Sequence, residues 1–152
     1  MEVKTSSYNF DFELYGDHAV LIKAKEKRRN EICWIPESVK GVPVTEIASS
    51  TFVDATFRRI AFPDCLKTIR KSAFVNCNNL QKVEFPTSLE KLEKQSFLGC
   101  QHLTSAEFCL RIKCVQEDAF SGCKIEEIKI PRMTKKNKTK IFEDLSILEK
   151  VH

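Results

Sequence analysis

The sequence predicts an α/β-type repeat solenoid, in which short coils place parallel strands on one face and irregular or short helical turns on the other. Three observations support this fold class: an apolar skeleton recurs about every 23 residues, a strand-like alternation occupies one fixed place in each unit, and a proline follows that alternation in most units. A unit this short cannot bury its apolar side alone, so stacked units must share one core.

A phenylalanine marks the middle of each unit. The stretches SAFVNCNNLQKVEFP (72–86) and QSFLGCQHLTSAEFC (95–109) carry Phe, Cys, Leu, Glu and Phe at identical offsets. The marker phenylalanines stand 22, 23 and 23 residues apart, at Phe52, Phe74, Phe97 and Phe120. Five residues before each marker stands a branched aliphatic residue: Ile47, Ile69, Leu92 and Val115. Three residues after each marker stands a small residue: Ala55, Cys77, Cys100 and Cys123.

Each unit also contains a short strand. In residues 82–85, Val83 and Phe85 alternate with two charged residues, so one face is apolar and the other polar. Pro86 cannot donate a ladder hydrogen bond and ends the strand. Cys-Trp-Ile-Pro at 33–36 matches the same positions. We therefore expect five such strands, stacked roughly 4.8 Å apart in a parallel sheet.

The seven cysteines do not form a recognisable chemical motif. Their number is odd, and the sequence has no CxxC pair and no zinc-finger spacing, so we predict no metal site. Since Ala55 fills the same position as Cys77, Cys100 and Cys123, thiol chemistry is not required there. We expect these three residues to form a buried ladder of small side chains whose thiols donate to backbone carbonyls. Neighbouring free thiols also fit a reducing compartment.

Residues 1–31 are predicted to form an N-terminal capping hairpin followed by a basic loop. Phe10, Phe12 and Leu14 alternate with acidic residues, Gly16-Asp17 suits a turn, and an apolar segment then runs back. Such a hairpin would cover the open first coil.

Residues 132–152 are predicted to form a basic loop and then either a degenerate final repeat or a capping helix. Phe142 and Val151 align with Phe74 and Val83, which favours the repeat. A helix would instead gather on one face Ile141, Leu145, Leu148 and Val151. A strand edge at the C-terminus would invite pairing with another chain, so a homodimer through this edge is an alternative.

The units closely resemble the BspA-type (treponemal-class) leucine-rich repeat. The residues that carry the resemblance are LKTIRKSAFVNCNNLQKVEFPTS (66–88), LEKLEKQSFLGCQHLTSAEF (89–108) and the entry segment WIPESVKGVPVTEIASSTF (34–52). The resemblance implies a short leucine-rich-repeat horseshoe over residues 32–131. It also implies protein binding or adhesion, as in surface-antigen-like relatives, and a surface location rests on the resemblance only. The third full unit departs from the pattern, with Cys109 in place of proline and Ala106 in place of a branched aliphatic.

Composition narrows the function classes. Hydrophobic residues make up 42% and charged residues 30% of the 152 residues, as in a folded domain. No run of about 18 apolar residues suits a membrane span, and the N-terminus has no signal-peptide pattern, so we expect a cytoplasmic protein. The net charge is +4, with basic runs at 23–29 and 135–140. These runs are either solvated loops or contacts for an anionic polymer, and the lack of interleaved aromatic residues argues against nucleic acid.

The outward residues of the strands are the candidate partner-binding site. They are Trp34, Arg59, Lys82, Glu84, Ser105, Glu107, Glu127 and Lys129. Trp34 is either an exposed hot spot or packed under the hairpin. The charged residues either contact a partner or form cross-strand ladders that keep the sheet soluble.

Catalysis has little support in the sequence. The three histidines have no nucleophile or acid at a spacing that suggests a triad, and four glycines leave no phosphate-binding loop. We therefore predict a non-catalytic protein–protein interaction module without a cofactor, with an unidentified protein partner. The alternatives are a structural protein that self-assembles through its C-terminal edge and a binder of anionic polymers through the basic loops.

Overall fold

The computed structural model describes residues 1–109, 111–131, 141–143 and 149–151. The strands within this part of the chain are, in order, β1 (Glu2–Lys4), β2 (Tyr8–Tyr15), β3 (His18–Glu26), β4 (Ile32–Trp34), β5 (Ser38–Val39), β6 (Val42–Ile47), β7 (Arg59–Ala61), β8 (Thr68–Ile69), β9 (Lys82–Glu84), β10 (Lys91–Leu92), β11 (Ser105–Glu107), β12 (Cys114–Val115) and β13 (Glu127–Lys129).

The strands stack as a repeat solenoid, as predicted. One sheet has the order β1-β2-β3-β6-β8-β10-β12, with β5 paired to β6, and its strands from β3 onward along this order run parallel. The strands expected from the alternation form the second face, as a parallel pair β4-β7 and a parallel trio β9-β11-β13. Each coil therefore contributes to two faces, and the core lies between them.

Stacked aromatic rings run through the core. The rings of Phe52 and Phe74 stack at 4.9 Å, and those of Phe74 and Phe97 stack at 4.8 Å. Phe97 and Phe120 continue the stack at 5.6 Å. All four markers are buried. Because each ring is covered by the ring of the next coil, the apolar surface of one unit is buried by its neighbours.

The cysteine ladder predicted from the small position is present. The thiols of Cys77, Cys100 and Cys123 each donate to the carbonyl of the marker phenylalanine one coil earlier, at 3.0 Å. Cys77 and Cys100 are fully buried, whereas Cys123 is only partly buried. A hydrogen bond with Cys100, together with burial, raises the pKa of Cys123, so its thiol stays protonated.

The α/β class and the helical turns are wrong. Residues 1–109 and 111–131 contain strands and turns but no helix. Each marker phenylalanine lies between two residues with positive φ, for example Ser72 and Asn76, both at 57°. A right-handed helix needs consecutive residues with negative φ, so these two positions turn the chain too sharply for a helix to form. No helix in the described residues is long and apolar enough to cross a membrane.

Two features of the sheets differ from the expected single five-stranded sheet. The strands β8, β10 and β12 are only two residues long, so a period-2 alternation cannot reveal them. The strand ladder is also interrupted between β7 and β9, where the Gln81 N–H donates to the Arg58 carbonyl at 3.3 Å.

The N-terminal segment forms an antiparallel hairpin of β2 and β3, with a register shift between Asp11 and Phe12. Phe10 and Phe12 are buried, but Leu14 is exposed beyond the edge of the core. The hairpin is part of the first sheet because β3 pairs in parallel with β6. The predicted basic loop at 23–29 is wrong in its first half, since β3 continues to Glu26.

The C-terminal segment differs in register from the alignment. Val151 lies beside Ile128, as predicted, but Phe142 lies beside Val115. Phe142 therefore occupies the repeat position of Val115, the branched aliphatic residue five positions before a marker, rather than the position of a marker phenylalanine. Its ring is buried and meets the ring of Phe108 edge-on at 6.0 Å. Leu145, Leu148 and the basic run 135–140 lie outside the described residues.

The Ser96 hydroxyl is fully buried and has no hydrogen-bond partner among the described residues. Alanine occupies the equivalent position in the neighbouring coils, at Ala73 and Ala119. We expect Ser96→Ala to raise the free energy of unfolding by about 1 kcal/mol, because it removes an unsatisfied buried polar group. Urea denaturation measures this change. Ala73→Ser is the matched control and should lower the free energy of unfolding, and a destabilising Ser96→Ala would contradict the prediction.

Burial, followed by the charge of Glu26, raises the pKa of the Cys33 thiol. The unfolded chain releases this proton above roughly pH 8.5, whereas the folded chain retains it. The contribution of Cys33 to stability is therefore complete below that pH and decreases as the pH rises. We expect the free energy of unfolding to fall between pH 7 and about pH 9.5, and to fall less in Cys33→Ala. Urea titrations under reducing conditions test this, and equal pH slopes in both proteins would contradict it.

Candidate functional site

The strands β4, β7, β9, β11 and β13 turn alternate side chains outward. Their middle residues are all buried: Cys33, Ile60, Val83, Ala106 and Ile128. The flanking residues point to the opposite side of the sheet because successive side chains in a strand alternate. All eight candidate residues from the sequence lie at these flanking positions, and they are called the strand face below: Trp34, Arg59, Lys82, Glu84, Ser105, Glu107, Glu127 and Lys129.

Trp34 is exposed on the strand face. Its exposed fraction is 66%, the largest among the exposed large hydrophobic residues of the described chain. The alternative in which Trp34 packs under the hairpin is therefore wrong, because β3 pairs with β6 in the other sheet. Trp34 lies in register with the small, half-buried Ala61 of β7, so its ring extends above its neighbour.

The basic residues in the C-terminal part of the strand face are paired with acidic ones. Lys82 Nζ lies 2.6 Å from Glu84 and 3.3 Å from Glu107, and Lys129 Nζ lies 3.4 Å from Glu127. Hydrogen bonds to Glu84 and then to Glu107 raise the pKa of Lys82. Only the pair of Lys82 with Glu107 crosses between strands, so the expected cross-strand ladders are present at one place. Exposed pairs of this kind contribute little to stability.

Arg59 differs from these lysines. Its guanidinium makes no ion pair or hydrogen bond with any described residue. It lines an open concavity of about 400 Å³ together with Ile60, Gln81, Lys82 and Glu84. This concavity lies where the ladder is interrupted between β7 and β9.

The opposite sheet carries an ionic surface that the sequence analysis did not single out. Arg70 lies 2.5 Å from Glu46, and Lys113 lies 2.6 Å from Glu90, in each case one coil away. Lys94 pairs in the same way with Glu117. The sequence feature that could have revealed this surface is the recurrence of opposite charges 23 or 24 residues apart. These three cations are paired, whereas Arg59 on the strand face is not.

One constellation brings chemical groups together that the sequence spacing does not suggest. Asp17, His18 and Cys65 line a concavity of about 340 Å³, and His18 Nδ1 lies 2.7 Å from Asp17 Oδ1. The Cys65 thiol, however, contacts the carbonyls of Glu37 and Val44 at 3.6 Å, and burial raises the pKa of this thiol. No hydrogen bond joins it to His18 among the described residues. A nucleophile needs the opposite arrangement, with a base in contact and a lowered pKa.

The other two histidines give no catalytic geometry. His102 Nδ1 lies 2.5 Å from the Asn78 carbonyl, so this side chain links the turns of two neighbouring coils. His152 lies outside the described residues. Within the described part of the chain, no group of three or more His, Cys, Asp or Glu residues could hold a metal ion.

Comparison with known families gives one match over most of the chain. The BspA type leucine rich repeat region matches residues 34–149 in six copies. No curated protein matches the chain.

Solved structures show the same fold at low sequence identity. A leucine-rich repeat protein from Bacteroides capillosus superposes with a TM-score of 0.75 at 21% identity, covering 85% of this chain and 97% of that one. A leucine-rich repeat protein from Bacteroides ovatus has a TM-score of 0.71 at 24% identity, covering 85% of this chain and 35% of that one. A leucine rich cell surface protein from Faecalibacterium prausnitzii has a TM-score of 0.54 at 20% identity, covering 86% and 48%. The chain thus spans about a third of the Bacteroides ovatus protein.

The exposure of Trp34 can be measured directly because it is the single tryptophan of the chain. Relative to their effects on free tryptophan, we expect iodide to quench its fluorescence in the folded protein more strongly than caesium does, since Arg59 attracts the anion. From strand spacing and rise, Arg59 lies roughly 8 Å away. Arg59→Glu should reduce the preference for iodide, and Lys129→Glu, at the far end of the strand face, should leave it unchanged. Weak quenching by both ions would show that the Trp34 ring is covered in solution.

Proposed function

The chain belongs to the BspA-type leucine-rich-repeat family, and from this membership we propose that it is a non-catalytic protein–protein interaction module that binds its partner through the strand face. The observation that carries the proposal is the 66% exposure of Trp34 on an ordered strand. Tryptophan and arginine are the residue types most enriched among binding hot spots, and Arg59 is the diagonal neighbour of Trp34.

The strand face is suited to binding because the fold already holds it in place. The backbone of β4 is hydrogen-bonded to β7, and the buried middle residue of each strand anchors it to the core. Binding of a partner therefore costs little free energy for ordering this surface. Covering the Trp34 ring would remove a large apolar area from water. The paired charges of Lys82, Glu84 and Glu107 suit a polar rim better than a binding centre.

A cytoplasmic location is part of the proposal. The seven cysteines are all free, which suits a reducing compartment. A surface location is the alternative, because one structural relative is described as a cell surface protein.

An affinity capture from a lysate of the source organism tests the proposal. The bait variant carries Trp34→Ala, Arg59→Glu and Lys82→Glu, with its fold checked by circular dichroism. We expect a protein that is retained by the wild type and reduced at least about tenfold with the variant, because the lost side chains include the hot spot. The matched control is Lys113→Glu on the opposite sheet, which should retain the partner as the wild type does.

Other outcomes would replace the proposal. A partner held equally by the wild type and the strand-face variant would move the site away from the strand face. Recovery of the protein itself alone, with a mass that rises with concentration in light scattering, would favour self-assembly through the C-terminal edge. Capture of nucleic acid or another polyanion, with steep loss between low and moderate salt, would favour the basic segments.

A further inference from the structure

Charge is distributed unequally along the strand face. The outward residues of β9, β11 and β13 include two lysines and three glutamates, a net charge of −1. Within these strands Lys82 lies between Glu84 and Glu107, and Lys129 lies beside Glu127. The cations here already have partners, so this half of the strand face gives a docking anion little to bind.

The N-terminal end has the opposite character. Segments 25–31 and 58–59 together carry six basic and two acidic residues, a net charge of +4. The Arg59 guanidinium has no ionic partner among the described residues. Arg58 lies 3.6 Å from Glu31, with both side chains mostly exposed, so this pair is weak and available to exchange.

A polar concavity extends this cationic end. Arg29 and Arg58 line an open space of about 300 Å³ at the start of β4 and β7, next to Thr56 and Asn79. The guanidinium of Arg29 likewise makes no ion pair or hydrogen bond with a described residue. Glu31 also lines this space, and the nearby Glu26 carboxylate accepts a hydrogen bond from the Thr56 hydroxyl at 2.8 Å. Both carboxylates are already counted in the net charge of +4. Arginine side chains in such a setting bind carboxylates in a bidentate manner.

Apolar surface adjoins these cations at a fixed spacing. Trp34 is exposed, and the half-buried Ile32 and Ala61 lie beside it on the same side of β4 and β7. Along β7, Arg59 and Ala61 are two residues apart, or roughly 7 Å, and Ala61 lies in register with Trp34 of β4. An extended peptide has the same rise per residue, so its side chains can meet Arg59 and Trp34 at once.

We propose that the N-terminal end of the strand face binds an extended, acidic segment of a partner protein, in which carboxylates stand two or three residues from an apolar side chain. The apolar side chain packs on Trp34, and the carboxylates bind Arg59 and the arginines of the concavity. The inference rests on the proposed function and specifies the partner for that same surface.

The charge pattern favours a short acidic protein segment over nucleic acid. The cationic part of the strand face is only two strands wide, β4 and β7, and the axes of these strands are about 5 Å apart. A polyanion that continued across the sheet would meet Glu84, Glu107 and Glu127 within the next three strands. A protein segment can carry its carboxylates at one end only, so it avoids this repulsion.

Selection from a displayed library of random dodecapeptides tests the inference with the intact protein. We expect the selected peptides to carry Asp or Glu two or three positions from an aromatic or aliphatic residue. A resynthesised peptide should bind with a change in Trp34 fluorescence. Replacing its Asp and Glu by Asn and Gln should weaken binding at least about tenfold. Arg59→Gln should weaken binding of the original peptide to a similar extent, and Lys129→Gln should not.

The outcomes separate this inference from the proposed function. Peptides that need Trp34 but are neutral or basic would overturn the acidic partner and leave the strand face as the binding site. Selected peptides that bind Trp34→Ala as well as the wild type, or a selection without binders, would count against both proposals. A twelve-nucleotide oligothymidylate that binds through Trp34 and Arg59 more tightly than the selected peptides would show that the site prefers nucleic acid.

Discussion

Each coil buries its apolar side only against the coils before and after it, and the rest of the structure depends on this constraint. The marker phenylalanines stack at 4.8–5.6 Å. Each cysteine of the ladder donates to a carbonyl one coil earlier, which satisfies a buried backbone acceptor between coils. Both contacts require every coil to present the same atoms at the same height, and this requirement sets the period of about 23 residues.

The same constraint leaves the outward positions free to vary. Strand β4 presents tryptophan outward where β9 presents glutamate, although both strands enclose a fully buried middle residue, Cys33 and Val83. Binding chemistry can therefore change without a change of fold. This separation explains why a family match establishes the scaffold and why the partner must be inferred from outward side chains such as Trp34 and Arg59.

The two faces of the solenoid use their charges differently. On the opposite sheet, cations such as Arg70 and Lys113 pair with acids of a neighbouring coil. On the strand face, the pairing of Lys82 and Lys129 gives way to the unpaired Arg59 beside an exposed aromatic ring. Ion pairs between coils satisfy their charges within the molecule, whereas the charge of Arg59 remains available to a partner.

The sequence by itself determined the repeat, the inward positions and the strand face, because burial repeats with a period that can be counted and strand side chains alternate. It determined the cysteine ladder for the same reason, since alanine shares that position. Only the tertiary structure decided that the turns are not helical, because left-handed residues such as Ser72 and Asn76 flank each marker. It also decided that Trp34 is exposed and that Phe142 lies beside Val115. The exposure of Trp34 and the register of Phe142 depend on where the hairpin and the last segment pack against the coils. The spacing of residues in the sequence carries no information about such long-range contacts.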